Sequence, residues 1–215
     1  MRKGSGKGGR RPQVKVKRAS DVPLLPIAVA GILLAFAIGV IIYIVINNKP
    51  AAQPVSAAGI PCDHLEHSTV HYHSALQIIY EGTVHPIASD IGLSGDPASP
   101  TCYYWLHVHA GNPNTIHIEA PANQTFTLGQ FFAVWTAWNK SKGEPEELLD
   151  ATHVSTLTLT PDQTLKVYID LQDGKGPQPY TGDPKAIVLK SHEVISLVIT
   201  PPDTTPPAFT FASGL

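Results

Sequence analysis

Residues Leu24 to Ile46 form an unbroken run of 23 positions without a charge, small or apolar throughout except for Tyr43. At about 1.5 Å of rise per residue, such a helix measures roughly 34 Å, enough to cross the hydrocarbon core of a bilayer. Eight Lys/Arg residues lie between Arg2 and Arg18, and the positive-inside rule keeps such a cluster cytoplasmic. The expectation is therefore a single-pass protein of the cell membrane, with its N-terminus cytoplasmic and everything after the span extracytoplasmic. A cleaved signal peptide is the competing reading, with Val55-Ser56-Ala57 as a passable cleavage site. The apolar run exceeds the roughly 7–15 residues of a signal core, which favours an uncleaved anchor. Membrane lipid along residues 24–46 is thus the first expected partner. Topology and anionic lipid account for the basic tail, so no nucleic-acid partner is expected.

The span also divides the charge. Residues 1–49 carry nine Lys/Arg and one Asp, the rest six Lys/Arg and sixteen Asp/Glu, so the formal net charge of −2 conceals a basic and an acidic half. All ten histidines lie in the acidic half, whereas the one methionine is residue 1 and the cysteines number two. Thioether copper chemistry and iron–sulfur clusters therefore lack their ligands. With 43% hydrophobic and 15% charged residues, a chain disordered throughout is excluded. Composition divides the chain into a basic tail (1–23), the span (24–46), an Ala/Pro/Ser/Gln/Asn linker (47–60), a domain (61–200) and a Pro-rich, extended tail (201–215).

Within the domain the dominant period is two. His71 to Tyr80 alternates as a half-buried strand, and Glu81-Gly82-Thr83 turns it into a second strand near Val84 to Ala88. Tyr103 to His109 and Thr115 to Glu119 flank a five-residue hairpin loop. Val154 to Leu159 faces Leu165 to Ile169 across Thr160-Pro161-Asp162-Gln163, and Ile187 to Leu189 faces Val194 to Ile199 across Ser191-His192-Glu193. Short antiparallel pairs of this kind predict a mainly β domain, an antiparallel sandwich or small barrel. One segment departs from that rhythm: Thr127-Leu128-Gly129-Gln130 has the form of a capping box, and Phe131, Val134, Trp135 and Trp138 follow at helical spacing. One amphipathic helix over Leu128 to Trp138 is expected, its aromatic stripe being core. Pro145 to Leu149 is read as a further helical turn.

The chemistry resides in the histidines. Residues two apart on a strand point the same way, so His71 pairs with His73, His107 with His109, and His117 with Glu119, each against an apolar alternate face. A hairpin register in which opposed positions sum to 224 sets His107 against His117 and His109 against Thr115; a two-residue shift opposes His109 to His117 instead. Opposed Cβ atoms lie about 4.5–5.5 Å apart, within reach of one shared metal ion. Five histidines and a carboxylate on facing strands correspond to nitrogen and oxygen spheres for Zn(II) or Cu(II). His73, His107 and His117 are expected as core ligands, with His71, His109 and Glu119 as nearest reserves. The competing reading is a structural or pH-sensitive histidine cluster. His64 and His67 extend the site or decorate the surface; His85, His153 and His192 are structural.

Cys62 and Cys102 are expected to form a disulfide, as two cysteines in an exported domain usually do. Asn123-Gln124-Thr125 and Asn139-Lys140-Ser141 are formal glycosylation sequons.

Tyr72-His73, Cys102-Tyr103-Tyr104-Trp105-Leu106-His107-Val108-His109, Ile116-His117-Ile118-Glu119 and Phe126 to Phe132 resemble the H-x-H, C-x-x-W-L-H-x-H, I-H-I-E-x-P and F-T-L-G-Q-F-F motifs of a group of uncharacterised membrane-anchored prokaryotic ectodomains. The resemblance covers about residues 60–200 and implies that these positions belong to one module; it carries no activity. Ala110 departs from it where an Asp is expected. H-x-H followed by a histidine on the neighbouring strand is also similar to the zinc site of α-type carbonic anhydrases, an analogy of site only.

Three functions follow in order. The first is a tethered extracytoplasmic domain holding a divalent ion. The second is an accessory subunit of a membrane protein complex, docking through its span and its Phe/Trp-rich face, with structural histidines. The third is a metal-dependent enzyme, for which Glu119 supplies a general base but no residue marks a substrate pocket.

Overall fold

A computed structural model describes residues 24–47 and 56–215, the side chains of the first segment over residues 26–43; the basic tail and most of the linker lie outside the described residues. Two compact units result, divided near residue 51. The first contains helix α1, Leu24–Asn47, within which Pro26–Tyr43 is long and apolar enough to cross a membrane and has none of its residues buried. Pro26 sits in the first turn, where a missing N–H costs no intrahelical bond.

The second unit is mainly β. Its elements are β1 (Cys62–Asp63), β2 (Val70–Tyr80), β3 (Thr83–His85), β4 (Leu93–Asp96), β5 (Ser99–Tyr104), β6 (Leu106–His107), β7 (Thr115–Ala120), α2 (Leu128–Lys142), β8 (Leu148–Leu149), β9 (His153–Ser155), β10 (Leu157–Thr158), β11 (Thr164–Asp170), β12 (Gln178–Tyr180), a 3-10 turn (Pro184–Ala186) and β13 (Val194–Thr200). The large sheet runs β12-β11-β13-β2-β7-β6, with β3 paired to β2. Two small sheets, β1-β5-β4 and β10-β9-β8, accompany it. Among the described residues no sheet closes into a barrel.

Local signals place the turns and the helix. Tyr80 opposes Thr83, and Glu81 and Gly82 both have positive φ, 51° and 75°, the geometry that matches strand twist in a two-residue hairpin. Helix α2 begins on the expected capping box: Thr127 and Gln130 satisfy each other's backbone N–H groups. It runs past Trp138 to Lys142 and stops at Gly143, which is left-handed with φ 77°. Its Phe131, Phe132, Val134, Trp135 and Trp138 are buried against Leu76, Ile78, Ile116, Ile118, Ile195 and Leu197 of the large sheet's inner face. The aromatic stripe is core, and it is not available for docking a partner.

Pairing at long range departs from the local reading. β13 pairs with β2 in parallel, Val194 opposite Ala75 through Val198 opposite Ile79, so the large sheet is mixed. β11 takes β13 as its antiparallel neighbour, while β9 and β10 leave the large sheet altogether. Ile187 to Leu189 bridges the Phe126–Leu128 segment rather than β13. Leu148–Leu149 is a strand and not a helical turn. For β11 and β13 a non-local partner outweighs a local turn signal, whereas β8, β9 and β10 pair with one another. Ala57 and Ile60, assigned by composition to the linker, are buried in the core. Asn139 is also buried, its amide donating to Pro145 O and Glu147 Oε1, so its sequon offers no acceptor for a glycan.

Residues 201–215 return across the outer face of the large sheet. Lys166 bonds Asp203 at 2.7 Å, Pro206 is buried, Phe211 packs edge-on to His192, and Leu215 O lies 2.9 Å from His192 Nε2.

Candidate metal centre

Because Leu76, Ile78, Ile116 and Ile118 point into the core, the alternate residues of β2 and β7 must point to the opposite face of the sheet. The register then decides who meets whom. Across β2 and β7, His73 opposes His117 and His71 opposes Glu119; across β6 and β7, His107 opposes His117. His73, His117 and His107 thus form a row across three strands with His117 in the middle. The expected hairpin register holds for His107 and His117. β6 ends at His107, so His109 is not laddered to Thr115.

The ring nitrogens converge. Nε2 of His71 and His73 are 3.2 Å apart, His73 Nε2 is 3.2 Å from His117 Nδ1, and Nε2 of His107 and His109 are 3.1 Å apart. Glu119 Oε1 is 3.3 Å from His71 Nε2, 3.6 Å from His117 Nδ1 and 4.0 Å from His107 Nε2. Two ligand atoms each 2.0–2.1 Å from a tetrahedral ion lie roughly 3.3 Å from each other, so these spacings are edges of a coordination sphere. The triads His71-His73-His117 and His107-His109-His117 each have all ligand atoms within 4.8 Å, as does Glu66-His107-Glu119. All six expected residues are therefore together, and the group can hold a metal ion.

Glu66 is the member that strand periodicity misses. Its Oε1 lies 3.1 Å from His109 Nε2 and 3.6 Å from His107 Nε2. It belongs to a loop, and the signal that leads to it is the cysteine pair. Cys62 and Cys102 are bonded with Cα atoms 5.4 Å apart, as expected, and Cys62 opposes Tyr104, which delivers the following loop to the strand ending in His107. His64 and His67 are on that loop but outside the cluster: His64 Nδ1 is 2.8 Å from Thr101 O, and His67 Nε2 is 2.7 Å from Asp63 Oδ2. Ala110 is exposed, its N–H donating to Asp90 Oδ1, so no side chain of the cluster comes from that position.

Burial grades the cluster from floor to rim. His73, His107, His117 and Glu119 are buried, whereas the side chains of His71, His109 and Glu66 are 48%, 32% and 41% exposed. The rim is the entry path. His107 Nδ1 donates to Tyr104 O at 2.8 Å, which fixes the orientation of the ring and turns Nε2 toward the cluster. Gly92 supports this placement: with φ at +79°, a Cβ there would lie 2.8 Å from Leu106 O and 3.1 Å from His107 Cβ.

Electrostatics match. Burial, then the neighbouring His117 and His71, push the His73 pKa down to about 4. Burial, then His107, also lowers that of His109. Both are neutral at pH 7, the form that binds metal. Burial works against ionising Glu119, but the hydrogen bond from His117 and the nearby His107 and His71 leave its carboxyl below the usual range. The hydrogen bond from His107 lowers Glu66. Neutral imidazoles beside ionised carboxylates form a nitrogen–oxygen cage with negative charge, suited to a divalent cation.

Fold and site define the class: a β-rich domain carrying a solvent-accessible histidine–carboxylate cluster on one sheet face, in a chain that also contains a helix able to span a membrane. In comparisons with known proteins, the chain matches no protein family, no curated protein and no solved structure.

Proposed function

We propose that this protein is a membrane-anchored extracytoplasmic domain that holds divalent metal, Zn(II) or Cu(II), through His73, His107 and His117 with His71, His109 and Glu119. The span of residues 24–46 lies in lipid with its basic flank cytoplasmic, and the acidic domain collects cations outside. The observation that carries the reading is the 3.1–3.2 Å spacing of ring nitrogens from three separate segments. Structural histidines bond outward to carbonyls, as His64 does to Thr101 O. Here only His107 has such a bond, and it serves to aim the other nitrogen inward. Burial of the Phe/Trp face of α2 leaves the accessory-subunit reading only the span as a docking surface. Catalysis has less support than holding, because a cavity of about 670 Å³ lies at Tyr168, Tyr180 and Lys166, residues outside the histidine cluster.

Calorimetric titration of the metal-stripped full-length chain in detergent, with each ion at pH 7.5, tests the proposal. Binding tighter than about 10 μM is expected. Replacing His107 and His117 together with Ala should weaken it at least about 100-fold, since two ligands of one sphere are lost. Equal affinity in the double variant would return the cluster to a structural role.

A further inference from the structure

Seven donors are too many for one zinc or copper ion, which takes four or five nitrogen and oxygen ligands. The seven sort by distance into two sets. In the first, His71 Nε2, His73 Nε2, His117 Nδ1 and Glu119 Oε1 form a closed ring with edges of 3.2, 3.2, 3.6 and 3.3 Å. In the second, His107 Nε2, His109 Nε2 and Glu66 Oε1 form a triangle with edges of 3.1, 3.1 and 3.6 Å. Between the two sets, Glu119 Oε1 lies 4.0 Å from His107 Nε2.

His117 belongs to both neighbourhoods. A ring nitrogen of His117 lies within 4.8 Å of those of His71 and His73, and one lies within 4.8 Å of those of His107 and His109. Its ring stacks on His107 with centroids 5.4 Å apart and meets His109 edge-on at 4.6 Å. Its Nδ1 faces His73 and Glu119, while its Nε2 is sealed from solvent and has no hydrogen-bond partner. Leaving a buried nitrogen unpartnered is unfavourable, and a metal bond would offset it. The strand order explains the duplication: β7 lies between β2 and β6, so its central histidine has an H-x-H pair on either side.

We propose, on the reading that the cluster binds metal, that it is a two-ion centre bridged by His117. One divalent ion is held by His71, His73, Glu119 and His117 Nδ1, and the other by His107, His109, Glu66 and His117 Nε2. Holding both requires His117 to lose its N–H proton and serve as an imidazolate. The sum of two dications, two carboxylates and one imidazolate leaves a single net positive charge. The bridge forces the two ions to communicate through one ring.

The test is copper stoichiometry with electron paramagnetic resonance on the full-length chain, purified in detergent without a chelating tag, stripped and loaded with CuCl2. Two Cu(II) per chain are expected, with a spin-coupled spectrum whose integrated intensity falls well below two independent spins. His109→Ala and Glu66→Ala, at the half-exposed rim, should each reduce the stoichiometry to one and restore an ordinary one-spin signal. Those variants keep the test open if His117→Ala fails to fold. One copper per wild-type chain, unaffected by His109→Ala, overturns the two-ion centre and leaves a single site at β2 and β7. Two copper ions giving the full intensity of independent spins overturn the bridge. No copper at all overturns the metal reading itself along with this inference.

Discussion

On the outer face of the large sheet, the half built by β13 and β11 is finished and the half built by β2, β7 and β6 is left open. Val194 and Val198 are buried there, and Ser196 Oγ donates to Gln77 Oε1 at 3.0 Å. A few ångströms along the same face, five imidazoles and two carboxylates crowd together, and His117 Nε2 has no partner at all. The sheet, its pleat and its inner core are common to both halves. What differs is that one half satisfies its polar atoms within the chain, and the other holds acceptors in excess of donors, the condition a cation relieves.

The largest effect that separates the halves concerns the disulfide. Cys62→Ser should lower stability by about 4 kcal/mol, the loop-closure contribution of a separation of 40 residues, and should weaken metal binding by releasing Glu66 from the rim. A variant that melts lower but binds metal with unchanged affinity would detach Glu66 from the site.

Next comes the pH profile of the metal-free protein, in which the halves oppose each other. His73 has its pKa pushed down to about 4, chiefly by burial. The unfolded chain therefore binds more protons than the native state between about 4 and 6.5, so this group makes stability fall as pH falls through that window. Glu193, at the entrance to β13, has its pKa raised to about 7 by burial. There the native state holds the extra proton, and stability falls as pH rises from about 4.5 to 7. The two slopes should nearly cancel in the wild type. Glu193→Gln, which keeps an Oε1 for the Lys190 N–H, should uncover a rise of about 2 kcal/mol from pH 4.5 to 6.5. His73→Leu should uncover the opposite slope. Thermal melts of both variants decide it, and two parallel profiles would sink the assignment.

The smallest effect is confined to the finished half. Ser196→Ala removes the donor to buried Gln77 and should cost about 1 kcal/mol in chemical denaturation. Metal affinity by calorimetry should not change. A loss of affinity in this variant would mean that the two halves are coupled.

Much of the candidate site is legible in the chain because its governing rules are local. The period of two in His71-Tyr72-His73 and His117-Ile118-Glu119 assigns faces, since an apolar neighbour can be buried only by turning the polar one away. The short loop before Thr115 sets His107 opposite His117. The capping box at Thr127 starts α2, and the two cysteines of the chain have only each other to bond. These are statements about neighbours a few residues apart, or about a bond with only one possible partner.

The tertiary structure alone decided the rest. Parallel pairing of β13 with β2 joins residues about 120 positions apart, and no turn signal encodes a pairing whose closure depends on the whole core. It overrode the local hairpins read at Ile187 to Ile199 and at Val154 to Ile169. Glu66 lies in a loop without periodicity, so nothing in its own neighbourhood marks it as a ligand; it reaches His109 only because Cys62 is fastened to the strand beside it. The double role of His117 depends on β7 lying between two H-x-H strands, and strand order is a property of the assembled sheet that sequence alternation cannot contain.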